Sequence, residues 1–234
     1  MADSDVLPMS EWQKFKVDLE KYYRIECGCS SPTLRQKLQL WGCHFSLQCV
    51  AIYRFNCFAS RLYQRRPILG LPFRLWAGIL TAFVRFFHHV DVFAASIGPG
   101  FYIGHLGTIY VGRCEVGANF SLTHNVTLGV GGRGAVRGLP RIGDNVWLGT
   151  GTIVFGDIAI GDGVAVMSGS IVSFNIPRRS LVGGNPARVL LRGYDNSTLF
   201  GGFSEGGATP VEPASSAAAA TEWRGREVRE HASS

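Results

Sequence analysis

Apolar residues recur every six positions through the middle of the chain. Ile142, Leu148, Val154, Ile160, Val166 and Val172 keep that spacing without a break, and Ile97, Ile103 and Ile109, then Val116, Leu122 and Leu128, extend it toward the N-terminus. Glycine follows the apolar residue at 98, 104, 117, 129, 143, 149 and 161. A hexapeptide period predicts a parallel β-helix, in which each short strand sends one aliphatic residue inward and small residues turn the corners. Chance alternation in a β-sandwich would not hold the spacing over the 31 positions from 142 to 172. Three hexapeptides make one triangular turn, so the coils group as 97/103/109, 116/122/128, 142/148/154 and 160/166/172. One extra residue falls between Ile109 and Val116, and eight fall between Leu128 and Ile142. The second insertion, "GVGGRGAVRGLPR", must leave the coil as a loop, made flexible by glycine and cationic by Arg133, Arg137 and Arg141.

Before the repeat the pattern changes to a helical one. Ser10 precedes Glu11, and Trp12, Phe15, Val17, Leu19, Tyr22 and Tyr23 suit a first helix ending before the turn cluster from Cys27 to Pro32. Apolar runs at 34–64 and 73–87 follow, separated by "QRRPILGLP", whose two prolines and glycine are expected to break any helix. The fold class read from these patterns is α+β: a helical region over 1–90, a β-helix domain over 91–192, and a disordered tail over 203–234 rich in Ala, Ser, Gly and Pro.

Charge sharpens the first of these regions. The chain carries a net +6, and residues 27–90 hold eight Arg or Lys and no Asp or Glu. Interleaved with Trp41, Tyr53, Phe58, Phe73, Trp76 and Phe83, they suit either a peripheral membrane contact or a face near an anionic substrate. The most apolar stretch, "LWAGILTAFV" at 75–84, is half the roughly 20 residues a spanning helix needs, and Arg74 and Arg85 bracket it, so no span is expected. Met1 to Lys21 is polar and acidic rather than signal-like, which makes the cytoplasm the expected location, with the inner membrane face as a peripheral alternative. The six cysteines lack both the density of a disulfide framework and the C-x-x-C pairing of a zinc site. No nucleic-acid partner is expected.

Two histidines fall at one position of the repeat. His105 lies two residues past Ile103 and His124 two past Leu122, and the single insertion makes 19 residues rather than 18 the distance that restores the same corner. The two are expected to stack about 4.8 Å apart at the backbone, in a column continued by Thr150 and Ser168. An isolated histidine on such a face is a surface residue, but two in one column beside a glycine-rich cationic loop point to a site. Imidazole changes charge near neutral pH and can take a proton from a hydroxyl, which favours acyl transfer to an alcohol.

The stretches "IGHLGTIYVG", "LTHNVTLG", "IGDNVWLGTGTIVFGDIAIGDGVAV" and "LVGGNPARVL" resemble the serine acetyltransferase branch of the hexapeptide-repeat acyltransferases, over residues 90–192. The resemblance implies a left-handed β-helix, a homotrimer with active sites in the grooves between subunits, acetyl-CoA as donor, and no metal. His105 matches the general base of that branch. Asp91, in "HHVDVFAASIG", resembles the aspartate that orients it, at a spacing one residue shorter than usual. Gly149, Thr150, Ala165, Ser168 and Gly169 match positions that line the pantetheine, and Arg188 in "NPAR" would face the nucleotide phosphates; as corner residues those glycines have an equally good structural reading.

The acceptor positions depart from that branch. Where it has an acid before the catalytic histidine and an Arg-His pair before the loop's proline, this chain has Gly104, Gly138 and Leu139. A zwitterion needs opposite charges in fixed places, and His124 stands where the serine enzymes commonly have glutamine; a second histidine there resembles the relatives that acetylate sugars. The expected acceptor is therefore a saccharide hydroxyl, with L-serine as the alternative. Two other classes stay open: a non-catalytic trimeric scaffold, and a metal hydratase resembling the γ-carbonic anhydrases. The latter needs a third coil histidine beyond His105 and His124.

Overall fold

The computed structural model describes residues 9–131 and 138–200, and within them the chain is α+β, four helices followed by a parallel β-solenoid. The expected disordered tail and the loop arginines Arg133 and Arg137 lie outside the described residues.

Local chemistry sets the helix ends. Helix α1 (Glu11–Cys27) starts in a capping box, Ser10 with Gln13, and stops at Gly28, whose φ of 64° is a left-handed conformation that glycine adopts freely. Helix α2 (Leu34–Cys43) starts in a second capping box, Thr33 with Gln36. Helices α3 (Phe45–Arg65) and α4 (Pro67–His88) form a hairpin broken only at Arg66. The expected break across 64–72 is thus shorter than the prolines suggested. Pro67 sits at the first helical position, where its missing N–H is no loss, and α4 runs on through Gly70 and Pro72. Gly70 has a packing role, because a Cβ there would collide with the backbone of Tyr63.

The solenoid has three sheets, one per face. Ile97, Val116, Ile142 and Ile160 stack in one column, and Ile103, Leu122, Leu148, Val166 and Val182 in the next. The third column is Val92, Val111, Leu128, Val154 and Val172. Here the expected grouping is corrected: Val111, not Ile109, stands in register with Leu128. The corner after Ile103 is two residues longer than a regular one, and the next, between Val111 and Val116, is one shorter, which leaves the net insertion of one. Both Ile109 and Val111 are buried. Each fully buried aliphatic side chain contributes roughly 1.5–3 kcal/mol, so the columns are the main source of stability in this half of the molecule.

Helices α1 and α3 close the first coil, and they do so with polar side chains. The buried residues of α1 are Glu11, Asp18, Lys21 and Tyr22 rather than an apolar stripe. Asp18 accepts hydrogen bonds from the backbone N–H groups of Gly100 (2.7 Å) and Phe101 (2.8 Å). Lys21 donates to the Gly100 carbonyl (2.9 Å) and to Ser121 (2.8 Å). The Tyr22 hydroxyl accepts from the Ile103 amide and donates to its carbonyl. Arg54 on α3 donates to the carbonyls of Ile97 (2.7 Å) and Gly98 (2.6 Å) and is held to Asp18 at 2.8 Å. A solenoid's terminal coil leaves its backbone groups without a neighbouring strand; these four side chains take that strand's place.

Burial acts on each of them. It pushes the Asp18 carboxyl up, against the pull of Arg54 and the two amides, and it lowers the Lys21 ammonium to about 7. It also lifts the Tyr22 phenol above its ordinary range. Apolar contact completes the joint: Phe101 stacks on Phe120 one coil away, centroids 5.9 Å apart, and meets Tyr53 of α3 edge-on at 6.0 Å.

Candidate active site

The repeat brings the two histidines together. Ile103 and Leu122 are register partners, so His105 and His124 turn out of the solenoid at the same corner. Their ring centroids lie 6.0 Å apart in an edge-to-face arrangement with an interplanar angle of 65°. His105 is exposed and His124 half-buried. The Nδ1 atom of His124 is buried and has no hydrogen-bond partner among the described residues. Gly107 permits this approach, because a Cβ at that position would stand 2.8 Å from the Cβ of His124.

The strand presenting His105 is fixed from inside. Tyr22 brackets Ile103 through both of its backbone groups, and the Tyr22 and Tyr102 rings pack with centroids 4.7 Å apart. The Tyr102 hydroxyl donates to Glu26 at 2.7 Å, and burial raises its phenol pKa, with the Glu26 bond and charge adding to the shift. Neither Tyr22 nor Gly107 was singled out as a site residue from sequence. Their signal was present only as the spacing of Asp18, Lys21 and Tyr22 along one helix face and as a glycine two residues past a histidine.

The column continues through Thr150 and Ser168, as Leu122, Leu148 and Val166 are register partners. Thr150 is hydrogen-bonded to Thr123 at 3.0 Å, and the Gly169 amide donates to the Thr150 carbonyl at 2.7 Å. Gly149 lies against the backbone of Ser168, where a Cβ would approach the Ser168 nitrogen to 2.7 Å. Ala165 is buried between Trp147 and Leu181, with its backbone in the same sheet. Arg188 is exposed at the start of the strand Arg188–Arg192, which returns antiparallel to Ser180–Gly183.

Asp91 is placed differently from the expectation. Its carboxylate accepts from Arg85 Nε at 3.0 Å and Nη2 at 2.9 Å, and it forms no hydrogen bond with His105. Asp91 pairs in register with Tyr110 in the third column, whereas His105 follows the second. At the acceptor positions, Gly104 is half-buried, the Gly138 carbonyl accepts from the Gly131 amide at 3.0 Å to close the loop base, and Leu139 packs over Gly112. Among the described residues, no cluster of three or more His, Cys, Asp or Glu side chains is gathered for a metal ion.

The fold is that of the hexapeptide-repeat β-helix proteins. Within that class the chain is similar to serine acetyltransferases. It is 43% identical over 134 residues, 57% of this chain, to serine acetyltransferase 3, mitochondrial, of Arabidopsis thaliana, and 33% identical over 136 residues to the serine acetyltransferase of Bacillus subtilis. It spans only 32% and 60% of the length of those two relatives. Soybean serine acetyltransferase complexed with serine superposes with a TM-score of 0.55 at 26% identity, over 77% of this chain and 70% of that one. The serine acetyltransferase of Brucella abortus in complex with coenzyme A gives 0.56 over 78% and 68% of the two chains, and at 23% identity this shows the fold. No family model matches the chain.

Proposed function

We propose that the chain is an O-acetyltransferase that uses acetyl-CoA, with His105 as its general base. The carrying observation is the edge-to-face pair of His105 and His124 on the outer corner of the solenoid, in a chain whose relatives are named serine acetyltransferases. His105 removes the acceptor's hydroxyl proton as that oxygen attacks the thioester carbonyl carbon. The tetrahedral intermediate collapses with cleavage of the C–S bond, and the imidazolium returns its proton to the departing sulfur. His124 supplies a second imidazole to the same corner, its buried Nδ1 open for a partner. Asp91 has no part in the step as drawn, because Arg85 holds its carboxylate.

The donor lies along the rungs of Gly149, Thr150, Ala165, Ser168 and Gly169, with Arg188 toward its phosphates; the Brucella relative bound to coenzyme A supports a donor of this kind. The histidine corner is an open wall, and the apolar cleft of about 360 Å³ lined by Trp12, Phe15 and Phe58 lies away from it, in the helical region. A homotrimer, in which a second subunit completes a groove over the wall, fits this geometry and three-fold closure.

L-Serine is the acceptor the relatives favour, through their names and the serine-bound soybean structure. It takes precedence over the saccharide expected from sequence. One observation sustains the saccharide as a second reading: Gly104, Gly138 and Leu139 offer no charge to a zwitterion. The test is thiol release from acetyl-CoA by the purified protein with L-serine and with a panel of sugars and nucleotide sugars. Turnover with serine supports the first reading and turnover with sugars alone the second. Absence of both turnover and acyl-CoA binding would refute the enzyme and leave a scaffold.

A further inference from the structure

Helix α4 exposes an apolar face that no described part of the chain covers. Over 22 residues its only Lys or Arg residues are Arg74 and Arg85, and it carries no acid. Gly70, Ala77 and Val84, seven residues apart, are its buried side and pack toward α3. The opposite side is a stripe of Ile68 (91% exposed), Leu75 (61%), Ile79 (59%), Phe83 (49%) and Phe86 (74%), with Trp76 beside it (56%). A contiguous apolar surface of this kind marks an interaction site.

We propose that α4 lies in the surface of an anionic lipid bilayer, its stripe among the acyl chains and the neighbouring arginines at the headgroup phosphates. Charge selects this occupant. Residues 27–90 hold eight Arg or Lys and no carboxylate; Arg54, Arg61 and Arg85 are paired with Asp18, Glu11 and Asp91, while Arg65 and Arg66, exposed where α3 meets α4, form no ion pair among the described residues. A protein partner would have to match that sign with a strongly acidic face around an apolar one, whereas an anionic membrane supplies a negative plane with hydrocarbon directly beneath it.

The helix is long and apolar enough to cross a membrane, but its geometry favours lying in the plane. One side is committed to α3, and Arg74 and Arg85 are three turns apart and nearly aligned, about 16 Å along the axis. A spanning pose would carry Arg74 into the hydrocarbon, while an in-plane pose leaves both arginines at one depth.

Flotation of the full chain with vesicles of phosphatidylcholine, alone or mixed with phosphatidylglycerol, tests this. The protein is expected to float with the mixed vesicles, to lose at least tenfold in binding to the neutral ones, and to lose as much again with Ile79→Glu combined with Phe83→Glu. Arg65→Gln with Arg66→Gln is expected to weaken binding and its salt dependence. Thermal midpoints and thiol release should match the parent protein in both variants, which separates this test from that of the acetyltransferase reading. The proposal is overturned if the parent protein stays unbound with anionic vesicles, or if the glutamate variant floats as well as the parent. Loss of oligomer by the glutamate variant, with no vesicle binding by the parent, would also overturn it and give the face to a second copy of the chain.

Discussion

Replacing Asp18 with alanine removes the centre of the joint between the helices and the first coil. Asp18 is fully buried, accepts from two backbone amides, and holds Arg54, itself only 2% exposed. Its loss leaves a guanidinium in the interior with the Ile97 and Gly98 carbonyls and, as its remaining anion, Glu11 in a single longer contact at 3.4 Å. Breaking one partner out of a buried pair costs about 3–5 kcal/mol, which for a chain of this length lowers the thermal midpoint by roughly 10 °C. The double variant Asp18→Ala with Arg54→Met discriminates the cause. If the cost is chiefly a stranded charge, removing the charge recovers at least about 1 kcal/mol relative to Asp18→Ala alone. Midpoints measured at one fixed protein concentration decide it, since assembly shifts apparent stability with concentration. A loss below about 1 kcal/mol for the single variant, or a double variant worse than the single, would refute the argument that charge burial governs this joint.

Three other outcomes follow from the same geometry. Lys21 loses its proton at about 7 in the folded chain against an ordinary value of 10.5, so the unfolded chain binds more protons between those values and stability rises with pH across that window; the parent minus Lys21→Met difference should show that positive slope, and a flat or falling one contradicts it. Gly107→Ala would push its Cβ onto His124, and the expected result is a turnover loss on the order of tenfold to a hundredfold with an unchanged circular dichroism spectrum; unchanged turnover would separate His124 from the reaction. Arg85→Gln should free the Asp91 carboxylate and change kcat by less than about threefold, within the effect of a residue outside the reacting groups; a loss approaching that of a histidine variant would bring the Arg85 and Asp91 pair into the mechanism.

The solenoid was legible because inward residues repeat at a fixed interval, and a repeat survives inspection of one chain. The same reading slipped at Val111, since Ile109 is also apolar and buried and the longer corner shifts the register by two. The histidine column was legible for a related reason: a 19-residue separation matches the coil spacing. What stayed hidden depends on contacts far apart in sequence. Asp18 and Arg54 are 36 residues apart, and nothing in their local patterns tells a buried pair from two solvated charges. The capture of Asp91 by Arg85 is short in range, yet it turns on the exit of α4 at His88 and His89, where the φ of His89 is 53°, rather than on any motif. The apolar run at 75–84, bracketed by Arg74 and Arg85, is too short by itself to span a membrane; with Pro67 at the helix start, the continuous element reaches 22 residues.

The central claim is that His105 is the base for acyl transfer. Thiol release from acetyl-CoA in the presence of L-serine, compared between the parent protein and His105→Ala, tests it most directly. A general base contributes about 10²- to 10⁴-fold, so the variant is predicted to lose that much in kcat while its thermal midpoint and oligomeric state stay those of the parent. A His105→Ala protein that turns over within threefold of a serine-active parent would contradict the assignment.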